Sequence, residues 1–248
     1  MNKKYYSFLN HAKFGRDFLL DLIFPIACLA CGQGEKNLCG KCKKKIIINK
    51  NFSCLNCNTS SNLGACCKTC QTKHGLDGLW ISSDYHNKVL SSLIKKFKYS
   101  FNKKLAPILA KVLILFLKEN NLQKRSDLFY NLENLIIVPV PLHKSKQRLR
   151  GFNQSELLAR LISEELNINI NSKNLTRRRN TKAQAKLNKK QRLANVNNAF
   201  NWTGKSLKEK NIILIDDVSS TGATLNNCTK TLKANGAQNV WGLVLAKN

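Results

Sequence analysis

Four Cys-x2-Cys pairs in tandem constrain this chain more than any other feature. Nine of its ten cysteines lie between Cys28 and Cys70. They form one quartet of Cys28, Cys31, Cys39 and Cys42, and a second of Cys54, Cys57, Cys67 and Cys70. Two residues between thiols let both aim at one ion from a tight knuckle. Two knuckles then close a tetrahedral site with no open position, the pattern of structural zinc. A single such pair also serves as a redox dithiol, but four in tandem do not fit that use. The expectation is one or two structural Zn2+ ions, with interleaved pairing left open. Cys66 is either a spare thiol or an alternative ligand, and Cys228 stands apart.

A disulfide framework would need an exported chain. Lys3 and Lys4 precede an apolar stretch that contains Asp17 and Asp21 and runs into Pro25, unlike a signal peptide. The apolar runs at 18–30 and 105–117 are short and interrupted by Asp21, Pro25 or Lys111, so no transmembrane segment is expected. Both readings point to a reducing cytoplasm. Lys plus Arg is 42 against 14 acids, a formal charge of +28. That field favours polyanions: nucleic acid, nucleotides or acidic membranes. A Lys- and Asn-rich background composition gives the same balance.

Three segments follow from pattern. In residues 1–27, Phe14, Phe18, Leu22 and Ile23 suit an amphipathic leader helix that either packs on its own domain or touches a membrane surface. Residues 28–73 lack apolar periodicity, as expected where metal holds the fold. Lys36, Lys41, Lys43, Lys44 and Lys45 make a basic platform there plausible. Residues 77–248 form the larger domain, in which strands alternate with helices from residue 135 onward. Strands are expected at 77–86, Leu135–Val140, Ile212–Ile215 and Val240–Leu245; helices at 87–99, 103–119, Ser155–Leu166 and Thr224–Ala234. That alternation predicts an α/β fold with a doubly wound parallel sheet. Residues 176–198 read as a long basic loop or arm.

The segment Ile212–Thr224, IILIDDVSSTGAT, carries the chemistry. A buried strand delivers Asp216 and Asp217. Ser219, Ser220, Thr221, Gly222, Ala223 and Thr224 then lead into a helix. Hydroxyls and backbone amides at a helix N-terminus make an anion nest. Paired acids beside it suit sugar hydroxyls or Mg2+. The segment resembles the phosphoribosyl pyrophosphate (PRPP) signature of type I phosphoribosyltransferases. That resemblance implies that Asp216 and Asp217 grip the ribose hydroxyls while Ser219 through Thr224 grip the 5-phosphate.

Further motifs narrow the resemblance. Val138-Pro139-Val140-Pro141-Leu142, Arg148-x-Arg150-Gly151-Phe152-Asn153-Gln154 and the arm from Arg177 through Thr181, Gln184, Leu187, Arg192 and Asn195 to Phe200 resemble the competence-associated ComF family. The cysteine knuckles resemble its double zinc ribbon, and the likeness runs from about Pro25 to the end. It implies that Lys144, Lys146, Arg148 and Arg150 face the pyrophosphate, with Mg2+ carried by PRPP. Arg177, Arg179 and Arg192 would then lie on a loop that closes over substrate. Arg148, Arg150, Arg177 and Arg192 are the catalytic candidates. Gln184 and Asn195 read a base or phosphate, or cap the arm; His143 carries no assigned role.

Three function classes fit. One is a phosphoribosyltransferase of unknown acceptor. Another is a non-catalytic sensor of nucleotides or DNA that keeps the pocket. The third is an assembly protein docking through its zinc module or leader on a competence ATPase or membrane channel. The ComF resemblance implies natural transformation and the handling of single-stranded DNA, at a cytoplasmic or membrane-associated location. Tyr85, Phe97, Tyr99, Phe152 and Trp202 are aromatics available for base stacking.

Overall fold

The computed structural model describes residues 27–34, 37–99, 102–178 and 199–247. The leader helix expected within residues 1–27, and with it Lys36, Arg179, Gln184, Arg192 and Asn195, lie outside the described residues. Two compact units divide between Lys45 and Ile46, so the two cysteine quartets fall in different units.

The smaller unit is built on turns. Gly32 N–H donates to the Cys28 carbonyl at 2.7 Å, closing the first knuckle, and Leu29 N–H reaches the Asn37 carbonyl at 3.0 Å. Helix α1, Gly40–Lys44, is capped by Cys39, whose sulfur accepts from the Cys42 amide. Among its described residues only Cys28 and Cys42 are buried, so no apolar core holds it. Lys41, Lys43, Lys44 and Lys45 are exposed.

The larger unit begins with an extended segment that covers the outer edge of the first strand. Asn49 N–H donates to the Ser82 carbonyl at 2.9 Å, and Ser83 Oγ donates to the Ile47 carbonyl at 2.7 Å. Helix α2 is Lys68–His74. There follow β1 (Gly78–Asp84), α3 (Lys88–Tyr99), α4 (Ala106–Glu119), α5 (Leu122–Arg125) and β2 (Leu135–Pro139). Next come α6 (Lys144–Arg150), α7 (Gln154–Leu166), β3 (Asn169–Ile170), β4 (Leu175–Arg177) and β5 (Phe200–Trp202). The chain finishes with β6 (Asn211–Ser219), α8 (Ala223–Ala234) and β7 (Asn239–Lys247).

The main sheet has the order β1-β7-β6-β2-β3 and every pairing is parallel. Parallel strands need covered faces, and the buried runs Ile212–Ile215 and Leu243–Ala246 meet that need. Helices α4 and α7 pack together over one face. On the other, Leu225, Cys228 and Leu232 of α8 share a core with Leu79, Val138, Ile212, Leu214, Val240 and Val244. Cys54, Leu55 and Cys66 belong to that same core, so the second knuckle is packed on apolar side chains as well as on thiols.

The doubly wound sheet is as expected from sequence, with three local differences. Strand β6 runs on to Ser219, because pairing with β7 continues past the apolar residues (Asp216 with Val244, Ser219 with Lys247). The basic run after Pro141 forms a helix, α6, started by a His143 cap and stopped by Gly151 at φ 68°. Thr176 and Arg177, read as the start of a loop, lie in β4, which pairs antiparallel with β5. Three-residue strands offer too little alternation to be read from pattern.

Candidate functional site

Ligands of open α/β sheets bind beyond the C-terminal ends of the strands, and there β6 delivers both acids. Asp216 Oδ1 accepts from Ser155 Oγ and from the Asp217 amide, each at 2.9 Å. Asp217 Oδ1 pairs with Lys98 Nζ of α3 at 2.9 Å. Burial, and then the Asp217 carboxylate beside it, push the Asp216 carboxyl up to about 7. Burial works against the Lys98 charge, but Asp217 and then Asp216 outweigh it and raise its pKa.

The turn after β6 presents the expected hydroxyls. Ser219 is buried, and its Oγ has no hydrogen-bond partner among the described residues. An unpaired buried hydroxyl costs about 1–3 kcal/mol unless a ligand satisfies it. Ser220, Thr221 and Thr224 are half-buried, and Gly222 and Ala223 buried. Gly222 caps α8 at φ 71° and ψ 0°, a left-handed conformation that glycine adopts without strain.

Cations gather unevenly around this turn. Arg150 lies 5.5 Å over the Tyr99 ring and donates to Gln154 Oε1 at 3.2 Å. Arg177 lies 5.3 Å over Phe200. Burial lowers its pKa, while Cys228 and then Asp216 oppose the loss. Lys146 is lowered by burial and then by Arg177 and Arg150, so these three cations are neighbours. Arg148 and Lys144 are exposed on α6. Lys98 and Ser155 are the site residues that sequence reasoning missed. Asn153 and Gln154, quoted for the motif, tie loops together: Asn153 Nδ2 donates to the Val140 carbonyl at 3.1 Å and Gln154 Nε2 to the Phe97 carbonyl at 3.4 Å. Of the aromatics, Phe97, Phe152 and Trp202 are buried, Tyr85 is half-buried and Tyr99 is 68% exposed.

The raised Asp216 pKa has a consequence with a definite sign. A carboxyl whose folded pKa lies above its unfolded value of ~3.9 favours the folded state when protonated. That contribution is present in acid and is lost as pH rises from about 4 to about 7. The melting temperature of the wild type, measured relative to Asp216→Asn, is therefore expected to fall between about pH 4 and about pH 7 and to level off above that. Each kcal/mol corresponds to about 2–4 °C in a domain of this size. A constant difference between the two proteins across that range contradicts the assignment.

The thiols form two separate clusters, Cys28–Cys31–Cys39–Cys42 and Cys54–Cys57–Cys67–Cys70. In each, all four sulfurs lie within 4.8 Å of one another. Cys31 and Cys39 sulfurs are 3.9 Å apart, and those of Cys57 and Cys67 3.8 Å. Four sulfurs ~2.3 Å from a tetrahedral zinc stand about 3.8 Å from one another, so the donor sets fit that ion. A disulfide, at ~2.05 Å, does not fit those distances. The pairs do not interleave. Cys66 is outside both clusters, and burial pushes its thiol up to about 12.

Among the described residues no helix is long and apolar enough to cross a membrane. The parallel α/β sheet, whose central strand ends in paired acids and a hydroxyl-rich turn, is the fold expected from the sequence. No protein-family model matches the sequence. The chain is 31% identical over 235 residues to Competence protein F of Haemophilus influenzae, covering 90% of this chain and 98% of that protein. It is 31% identical over 231 residues to DNA utilization protein YhgH of Escherichia coli, with coverage of 90% and 98%. Competence protein ComFC of Bacillus subtilis is 26% identical over 208 residues, covering 82% and 80%. A purine phosphoribosyltransferase from Pyrococcus horikoshii has a TM-score of 0.33 and 15% identity, covering 58% of this chain and 82% of that one. The chain belongs to the competence protein F (ComF) family.

Proposed function

We propose that the turn between β6 and α8 binds phosphoribosyl pyrophosphate, or a nucleotide carrying the same ribose phosphate, and that the protein serves DNA uptake by handling single-stranded DNA. The observation that carries the sugar reading is the pair Asp216 and Asp217 at the end of β6, beside the unpaired Ser219 hydroxyl. The acids would hold the ribose hydroxyls and the turn its 5-phosphate. Lys146, Arg150 and Arg177 would face the leaving pyrophosphate, with Mg2+ held mainly by phosphate oxygens and water. Transfer at the anomeric carbon needs rigid grips on the sugar and cations on the leaving group, which these residues supply. Calorimetric titration with PRPP and Mg2+ tests the reading. Saturable, Mg2+-dependent binding supports it; heat that does not saturate removes it.

The DNA reading is supported by the +28 charge, by the basic helix α6 with its exposed Leu149, and by exposed Tyr99, whose ring Arg150 of that helix covers. A basic groove with stacking side chains takes single strands without sequence preference. Affinity for single-stranded DNA is expected to fall at least about tenfold between 50 and 200 mM salt for a few phosphate contacts. A flat response in a fluorescence-anisotropy titration rules out an electrostatic interface. The reading assigns the protein to the cytoplasm, with membrane association through a partner.

A non-catalytic protein that keeps the pocket is the second reading. The Lys98–Asp217 ion pair favours it, because that carboxylate is already neutralised and must be released to meet a sugar. Pyrophosphate release in the presence of candidate acceptors separates the two.

A further inference from the structure

The second cysteine quartet is joined to the phosphate turn by one direct contact and by a second that runs through Lys247. We propose that it acts as a positioning element for that turn, with Leu55 as its transmitting residue, so that metal held by Cys54, Cys57, Cys67 and Cys70 sets the affinity for phosphorylated ligands. The inference rests on the pocket reading above and adds to it a control of the same site.

The first contact is apolar. Leu55 lies inside the Cys54-x2-Cys57 knuckle and is buried. Its side chain occupies the space where a Cβ on Gly222 would stand: such an atom would be 2.5 Å from Leu55 Cδ2 and 3.2 Å from Cγ. Gly222 is therefore needed twice, for its left-handed φ and for this close approach. The second contact is polar. Lys247 Nζ donates to the Leu55 carbonyl at 2.9 Å and to Asn58 Oδ1 at 2.7 Å. Lys247 is the β7 residue paired with Ser219. The knuckle thus supports the turn at both ends, through Lys247 beside Ser219 and through Leu55 against Gly222.

The knuckle is closed by backbone bonds and carries its thiols in reach of one ion. Cys54 N–H donates to the Thr59 carbonyl at 2.8 Å and Asn58 N–H to the Cys54 carbonyl at 3.0 Å, with Asn58 at φ 59°. One ion drawing the four sulfurs together would fix Leu55 relative to α8. A nest of aligned donors is sensitive to such support, as a catalytic group is, for which a misplacement of ~1 Å costs on the order of a hundredfold in rate.

The test compares the wild type with Leu55→Ala, Cys57→Ser, Cys31→Ser, Gly222→Ala and the Leu55→Ala/Gly222→Ala double variant, each assayed for zinc content, for PRPP affinity by calorimetry and for hydrogen exchange of residues 218–226. Leu55→Ala is expected to keep its zinc, to bind PRPP about tenfold to a hundredfold more weakly and to exchange faster across the turn. Cys57→Ser is expected to lose one zinc and show the same two effects. Cys31→Ser is expected to lose one zinc and show neither. Leu55→Ala with Gly222→Ala should be non-additive, because truncating Leu55 opens the space that the new methyl needs. Unchanged exchange across the turn in both Leu55→Ala and Cys57→Ser overturns the proposal. So does an equal effect from Cys31→Ser. Exchange reads the coupling without a ligand. Failure of the wild type to bind PRPP therefore removes the pocket reading while the coupling is still decided.

Discussion

Replacing both acids at the end of β6, Asp216→Asn together with Asp217→Asn, is expected to weaken binding of PRPP with Mg2+ by at least about a hundredfold while leaving the fold in place. Charge-assisted hydrogen bonds are worth about 1.5–3 kcal/mol each, and two are removed. Asparagine keeps the size of each side chain, and at position 216 it still offers an oxygen to Ser155 and to the following amide. The structural cost falls on Lys98, which loses its 2.9 Å partner. The Lys98 side chain is 21% exposed, so it can regain water, and the expected loss of stability is about 1–3 kcal/mol. Calorimetry reads the binding and far-UV circular dichroism the fold. Unchanged affinity in a folded variant would sink the assignment of the pocket.

Removal of zinc is expected to have the larger effect on stability. Apparent binding energies for structural zinc in finger peptides are about 10–16 kcal/mol, and in such modules that energy is folding energy. In the smaller unit only Cys28 and Cys42 are buried among the described residues, so chelation should unfold it outright. The second quartet differs, because Cys54 and Leu55 share a core with α8 and the sheet. Stripping its ion should lower the melting temperature of the larger unit without abolishing its transition. Differential scanning calorimetry with and without chelator, run on Cys42→Ser and Cys70→Ser, separates the two. Full thermal stability of the metal-free protein contradicts both expectations.

The parts of this molecule that sequence made legible are those whose partners lie close in the chain. The knuckles declare themselves because both thiols of a pair must come from one turn. The β6 turn does so because strand, acids, hydroxyls and helix start follow one another in Ile212–Thr224. Lys98 and Ser155 were not legible. Lys98 lies in a run with Lys95 and Lys96 that looks like any solvated helix face, and only tertiary packing brings it to Asp217. Ser155 is 61 residues from the acid that it meets. The packing of Leu55 against Gly222 was hidden for the same reason: composition places 54–70 with the thiols, whereas the fold gives Leu55 an apolar task.

The strand order carries a consequence for how the protein is made. The first strand of the sheet pairs with the last, and Ser82 meets the Leu245 carbonyl across 163 residues. Leu55 meets Lys247 across 192. A ribosome delivers the second knuckle and β1 long before β7 exists, and β7 stands between β1 and β6. Contacts of such long range form late and slowly, and surfaces awaiting them are open to aggregation. Metal uptake by nascent thiols is local and can run ahead of this. The turn after β6 acquires its support only when β7 slides between β1 and β6.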